Sequence, residues 1–374
     1  MSLAPGGTIG FLGGGQLGRM AAMAARSLGY DVQVLDPDPA CPARAVASRT
    51  ITAAFDDADA AASLARECGV VTLEIEQIAA GSMEAAGRHA PVRPGAAAVV
   101  TIQDRARQKQ WLRDAGFPVG PFAVADSEAE LRAAATELGV CVAKSTRGGY
   151  DGRGQARLAT ADDAAAAWRA IGGRRCVVEQ WLSIEREISA LVSRRPSGEC
   201  VLFPVAQNHH DAGVLTWSMT PAPVAAAVAD AARELARAIA EALDVVGLLA
   251  VEIFLLGDGR LLVNELAPRP HNTFHATERA CETSQFEQLV RAVCDLPLGS
   301  TALVRPGAIV NLLGDLWAGG RPPAFARALE VPGVRLHLYG KAEARPGRKM
   351  GHLSALGESA DAARALVQEA YRRL

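Results

Sequence analysis

Apolar and polar positions change period along this chain, and the changes mark out its elements. Thr8–Leu12 is a short apolar run, followed by Gly13-Gly14-Gly15-Gln16-Leu17-Gly18 and an Ala- and Met-rich stretch of helical spacing at 19–28 that Gly29 closes. A second apolar run at 31–35 ends in Asp36. Strand, helix, strand in that order predicts the opening of a parallel α/β unit. A helix at 58–68 and a strand at 70–75 extend it, with Glu74 and Glu76 on one face at the strand's C-terminal end, where open α/β sheets hold ligands. Pro91 and Pro94 punctuate the end of this block.

Helical spacing returns at 104–115, at 127–138 behind the cap residue Ser127, and at 162–172, with strands at 140–143 and 175–180. From 185 the pattern turns sheet-rich, at 187–192 and 200–206, and is followed by a polar stretch, 207–211. A long amphipathic helix covers 221–243, and apolar runs at 245–256 and 260–266 flank Gly257-Asp258-Gly259. The tail adds strands at 309–313 and 334–339 and a helix at 359–374. The expected fold class is α/β and α+β multidomain, with a Rossmann-like block at 1–100, a small block at 101–183 and a larger one at 184–374.

Length and charge narrow the picture. A chain of 374 residues is too long for one comfortable core. With 39 basic and 41 acidic residues it has no general attraction for nucleic acid or anionic membrane, so local basic clusters read as sites for small anions. No apolar run is long enough to span a bilayer, and the first residues lack a signal-peptide pattern. Seven scattered cysteines, none in a C-x-x-C pair, argue against a disulfide framework or a zinc site and for a reducing cytoplasm.

Three stretches carry chemistry. Glycines 13, 15 and 18 with Asp36 fit a dinucleotide-binding turn, which alone would suggest an NAD-dependent enzyme. In Lys144–Gln155, four glycines and three basic residues make a backbone and side chains that can wrap an anion. Third, an even-length turn around Asp258-Gly259 pairs Leu256 with Leu261 and Phe254 with Val263, which sets Glu252 opposite Glu265. Like charges there are destabilising unless a cation sits between them, and oxygen ligands beside phosphates suit Mg²⁺. A nucleotide follows as the guest: Lys144 and Arg105 as phosphate cations, 179–182 along an adenine edge, and Glu187 on the ribose.

Lys144, Gly148-Gly149, Asp151-Gly152-Arg153-Gly154, then Glu179-Gln180, then Asn264-Glu265-Leu266-Ala267-Pro268-Arg269-Pro270-His271-Asn272 resemble the ATP-grasp superfamily. Within it, Gly13 to Met20, Gly148 to Gln155, Thr283 to Glu287 and Lys341 to His352 resemble the N5-carboxyaminoimidazole ribonucleotide synthases almost end to end. The resemblance implies an ATP-grasp fold with an N-terminal Rossmann-like (pre-ATP-grasp) domain at 1–100, a lid domain at 101–183, and a large domain at 184–374 with a metal-binding hairpin and basic tail. It implies a soluble purine-pathway ligase, expected as a homodimer, that uses ATP and Mg²⁺ to make carboxyphosphate from bicarbonate and carboxylate aminoimidazole ribonucleotide.

Carried over by position, ATP is expected on Arg105, Lys144, Gly149, Tyr150, Asp151, Gly152, Arg153, Gly154, Gln155, Glu179, Gln180, Trp181, Leu182, Glu187, His210, Asn264 and Glu265. Mg²⁺ is expected on Glu252 and Glu265, and the ribonucleotide near Gln16, Leu17 and Glu74 under Tyr150, Asp151 and Arg153. Lys341, Arg345, Arg348 and Lys349 suit the 5′-phosphate and bicarbonate, and Arg269, His271 and Asn272 suit carboxyphosphate. Arg269, His271, Lys341, Arg348 and Asp151 are the expected catalytic residues. Ala267 stands where many superfamily members have a metal-side Asn. A dehydrogenase, a non-catalytic nucleotide-binding module and a ligase or formyltransferase on a related ribonucleotide stay open as alternatives.

Overall fold

The computed structural model describes residues 2–148, 154–318 and 320–374. Three sheets organise them. The first is parallel, in the order β3-β2-β1-β4, from β1 (Thr8–Leu12), β2 (Asp31–Asp36), β3 (Arg49–Thr52) and β4 (Val70–Leu73). Its central strands are buried on both faces, as parallel sheets are. The second sheet is antiparallel, in the order β5-β8-β6-β7: β5 (Phe122–Ala125), β6 (Cys141–Ser145), β7 (Gln155–Leu158) and β8 (Cys176–Gln180). Helices Glu128–Leu138 and Ala164–Ala170 cover it and give it a core of its own, from Leu131 to Val178.

The third sheet has nine strands. These are β9 (Ile184–Arg194), β10 (Cys200–Leu202), β11 (Ala206–Asp211), β12 (Val214–Thr220), β13 (Gly247–Leu256), β14 (Leu261–Ala267), β15 (Gly307–Leu313), β16 (Arg335–Leu338) and β17 (Lys349–Leu356). Their order is β14-β13-β9-β11-β12-β15-β17-β16, with β10 also on β9. Period-2 alternation splits the β9, β13 and β14 faces. Ile188, Ala190, Val251, Ile253, Val263 and Leu266 lie against helix Ala226–Ala242 in one core, while Ser189, Glu252 and Glu265 share the opposite face.

One core joins the first domain to the third sheet. Leu17, Met20 and Ala21 of helix Gln16–Ser27 pack with Phe274, Phe286, Leu289 and Tyr339. That packing holds the glycine turn of the first domain over the polar end of the third sheet.

Several expectations change. The polar stretch 207–211 is a strand: all five residues pair with β12, and Gln207 and Asn208 pair with β9 as well. Strand β4 stops at Leu73, so Glu74 and Glu76 belong to the following loop rather than to the strand's alternation. Helix Ala96–Ile102 runs through residue 100, and β3, β12 and β17 extend the expected set.

Helix Arg105–Asp114 carries two cations into the site, and Asp104 caps it by accepting from the amides of Ala106 and Arg107 at 3.1 Å each. Asp104→Ala should therefore lower the unfolding free energy by about 1 kcal/mol in urea titrations. An unchanged midpoint would show that the cap contributes nothing.

Candidate functional site

The hairpin of β13 and β14 sets the centre. Its last pair is Leu255 with Leu261, so the turn has odd length and the expected pairing of Leu256 with Leu261 is off by one. A bulge then restores the register: Ile253 faces Val263, Glu252 faces Glu265, and Asn264 is left over. The carboxylates do lie opposite each other, through the bulge rather than through an even turn. The extra residue works there too, since Asn264 Nδ2 donates to Glu252 Oε2 at 3.3 Å.

Two partly buried carboxylates side by side do not both keep ordinary acidity. Burial, joined by the facing Glu265 and Glu187 and opposed by His210, pushes the Glu252 carboxyl up. Burial also works against Glu265, but Arg105, Lys144 and Arg269 outweigh it and hold Glu265 low. Arg105 Nη1 donates to Glu265 Oε2 at 2.8 Å. His271 Nε2 stands 3.3 Å from Glu252 Oε1, and burial keeps its imidazole neutral. Gln285 orients His271 by accepting from its amide at 2.8 Å and donating to its carbonyl at 2.9 Å. The buried His271 Nδ1 has no hydrogen-bond partner, an orphan of the kind a polar ligand satisfies.

The donor set of Glu252, Glu265 and the Asn264 amide is all oxygen on the acceptor side and fits a hard divalent cation such as Mg²⁺. Ala267, in the place of the superfamily's further Asn, is buried. A separate group, Glu278, His337 and His352, brings ligand atoms within 4.8 Å of one another. That is wider than the roughly 3.4 Å between neighbouring ligands of a tetrahedral zinc.

The lid sheet contributes Glu179, near the end of β8. Lys144, on β6, reaches Glu179 Oε1 at 3.1 Å, and Lys109 reaches Oε2 at 3.3 Å. Burial would raise this carboxyl, but the two ammonium groups, Lys109 first, bring it down to about 2. Lys109 was absent from the expected set. The signal was its i,i+4 spacing from Arg105 on a helix that also buries Gln108 and Leu112. Trp181 is half exposed, with Arg157 over its ring at 4.5 Å. Gln180 Nε2 donates to Leu138 O at 3.3 Å. His210 pairs through Nδ1 with Glu187. A second bulge lies beside His210, between it and His209.

The first-domain turn faces inward. Glu74 accepts from the amides of Gly15 at 2.8 Å and Gly18 at 3.1 Å, and Asp36 accepts from Gly14 at 2.7 Å. These are the N–H groups a dinucleotide pyrophosphate would need, so the motif's own geometry argues against NAD. A Cβ on Gly15 would lie 2.6 Å from Glu74 Oε1, so glycine here serves the internal carboxylate. Burial pushes the Glu74 carboxyl up to about 6 against those two amide bonds.

From that turn a polar chain crosses to the large domain. Gln16 Nε2 donates to Asn272 Oδ1, His275 Nε2 stands 3.1 Å from the same oxygen, and Lys341 Nζ donates to Gln16 Oε1 at 2.6 Å and to Lys349 O at 2.6 Å. Glu76 pairs with Arg269 at 2.8 Å. Lys341 and Lys349 thus turn inward. Arg345 does not: it is exposed and paired with Glu343, and Arg348 Nη1 donates to Glu343 O at 2.9 Å. The four-cation cluster expected of this segment is two inward lysines and two arginines tied to Glu343. Leu17 is packed in the shared core and places the turn through its apolar contacts. Gly149, Tyr150, Asp151, Gly152 and Arg153 lie outside the described residues; Gly154 O accepts from Ser145 N at 2.8 Å, and Gln155 opens β7 opposite Lys144.

Cations beside paired carboxylates, between two antiparallel sheets, define an ATP-grasp enzyme. The ATP-grasp domain family matches residues 110–286, the ribonucleotide synthetase preATP-grasp domain 7–103, and the phosphoribosylaminoimidazole carboxylase C-terminal domain 307–366. The N5-carboxyaminoimidazole ribonucleotide synthase of Brucella melitensis is 45% identical over 356 residues, covering 94% of this chain and 97% of its own. The chain belongs to the N5-carboxyaminoimidazole ribonucleotide synthase family. Among solved structures, an ADP complex of an N5-carboxyaminoimidazole ribonucleotide synthetase superposes with TM-score 0.94 at 40% identity, covering 99% of this chain and 97% of that one. The Aspergillus clavatus synthase in complex with ADP and 5-aminoimidazole ribonucleotide gives 0.90 at 32%, covering 98% of each.

His352 gives the site's surroundings a measurable pH signature. Its ring is buried, stacks on His275 at 4.7 Å and meets the Tyr339 hydroxyl at 2.9 Å, and burial depresses it to about 3. Below about pH 6.5 the unfolded chain takes up a proton that the folded one refuses, so stability is lost as pH falls, by at most about 1.4 kcal/mol per unit for this group. His352→Gln should flatten the fall in unfolding free energy between pH 7 and pH 5. Equal slopes in the two proteins would contradict this.

Proposed function

We propose that this chain uses ATP to carboxylate 5-aminoimidazole ribonucleotide with bicarbonate, giving N5-carboxyaminoimidazole ribonucleotide through carboxyphosphate. The observation that carries the reading is the Glu252–Glu265 pair with Arg105 and His271 on it, within one polar surface that continues to Gln16 and Lys341. Family membership supports it over the whole length of the chain.

ATP is expected where Arg105 and Lys144 neutralise phosphate and the Glu187–His210 pair takes the ribose side. Glu252 and Glu265 would hold Mg²⁺ with Asn264 beside them, and the ion supplies charge neutralisation of the phosphates. Phosphoryl transfer to bicarbonate then depends mainly on positioning and charge. Arg269, fixed by Glu76, is placed to hold the carboxyphosphate. The ribonucleotide is expected over Gln16 and Glu74, with Lys341 toward its phosphate. Burial and the nearby Arg269 hold the His271 imidazole toward its neutral form, which suits it to hydrogen-bond a substrate rather than to carry a proton. Tyr150, Asp151 and Arg153 are assigned to the acceptor on the sequence alone. The homodimer expected of the family belongs to the same proposal, and light scattering at working concentration checks it.

Phosphate release should require Mg²⁺ and bicarbonate and should rise when aminoimidazole ribonucleotide is added. Glu265→Gln should remove that release, by 10²-fold or more in order of magnitude, with an unchanged circular dichroism spectrum. Turnover with formate and glycinamide ribonucleotide, or full activity in the variant, would overturn the reading.

A further inference from the structure

Glu179 is clamped by two lysines in unequal surroundings. The Lys109 side chain is 5% exposed and the Lys144 side chain 17%, so one ammonium is sealed in while the other borders the start of the glycine loop. Lys109 also donates to Val263 O at 3.2 Å, one residue before the bulged Asn264. It therefore ties helix Arg105–Asp114 to the metal-side strand β14 and to the lid strand β8.

The charges around this carboxylate do not balance in pairs. One negative charge is shared between two positive ones. With Lys109 satisfying Glu179, the Lys144 ammonium has positive charge to offer an anion. Without Lys109, Glu179 and Lys144 would neutralise each other, and an incoming phosphate would meet a neutral pair. A buried carboxylate left with one partner would also hold that partner more tightly.

We propose that Lys109 is a positioning residue of the nucleotide site, which occupies Glu179 so that the Lys144 ammonium can bind the nucleotide phosphate. The inference rests on the nucleotide reading above. Lys109 itself stays on Glu179 and Val263 throughout and touches no substrate. Its effect belongs to nucleotide affinity rather than to the acceptor.

The test is calorimetric titration of the full chain with ADP in the presence of Mg²⁺. Lys109→Met should weaken ADP about tenfold, the size of a lost charge-assisted contact. Adding Glu179→Gln in that background should tighten ADP at least about threefold relative to Lys109→Met alone, because Lys144 is released again. Lys109→Arg should bind ADP nearly as wild type does, and the KM for the ribonucleotide should stay unchanged in all three. Wild-type affinity in Lys109→Met, or no recovery in the double variant, would overturn the proposal; a lowered melting temperature with unchanged ADP affinity would mark a merely structural lysine and overturn it too. If the single variant does not fold, Lys109→Gln takes its place: tighter ADP binding on adding Glu179→Gln supports the proposal, and no tightening overturns it. Wild-type protein that fails to bind ADP would instead sink the nucleotide reading itself.

Discussion

Two carboxylates held face to face across one bulge set the terms for this molecule. Glu252 and Glu265 repel each other on the partly buried face of a hairpin, and the fold surrounds them with what the repulsion requires. Arg105 comes from the helix that opens the lid region, His271 from the segment after β14, and Asn264 from the bulge itself. The apolar reverse face of the same strands gives the pair a rigid base, since Val251, Ile253 and Leu266 are all buried in one core. Strain in one place is thereby supported by packing directly behind it. A site held ready in this way can accept a cation without reorganising its backbone.

The first domain shows the opposite use of a glycine-rich turn. Its amides point at carboxylates of the same domain, Glu74 and Asp36, rather than at a ligand phosphate. What the turn presents outward is Gln16, which links Asn272 to Lys341 across the domain boundary. The shared core beneath it, from Met20 to Tyr339, keeps that link in register. Fold-level likeness to dinucleotide-binding proteins is thus real at the backbone, and the side chains redirect its chemistry.

Much of this was legible in the sequence. The facing glutamates, the lysine at the exit of a strand and the glycine turn over a helix N-terminus all follow from period and turn chemistry. The reasons for the misses are physical. A single bulged residue cannot be seen in an apolar alternation, so the hairpin register came out right at Glu252 and wrong at Leu256. Arg345 and Lys341 look alike in a basic run, and only packing decides that one meets Glu343 at the surface while the other turns inward to Gln16. Lys109 sits among Arg105, Arg107 and Arg113, which reads as a solvated helix face until the lid strand and β14 close over it. Contacts between domains leave no local period to read.

If Glu252 and Glu265 together hold a divalent cation for the nucleotide, Mn²⁺ binding by electron paramagnetic resonance with ADP present should differ between wild type and Glu252→Gln. ADP-dependent Mn²⁺ binding that the substitution weakens by about an order of magnitude or more is expected. Undiminished Mn²⁺ binding in Glu252→Gln would contradict it.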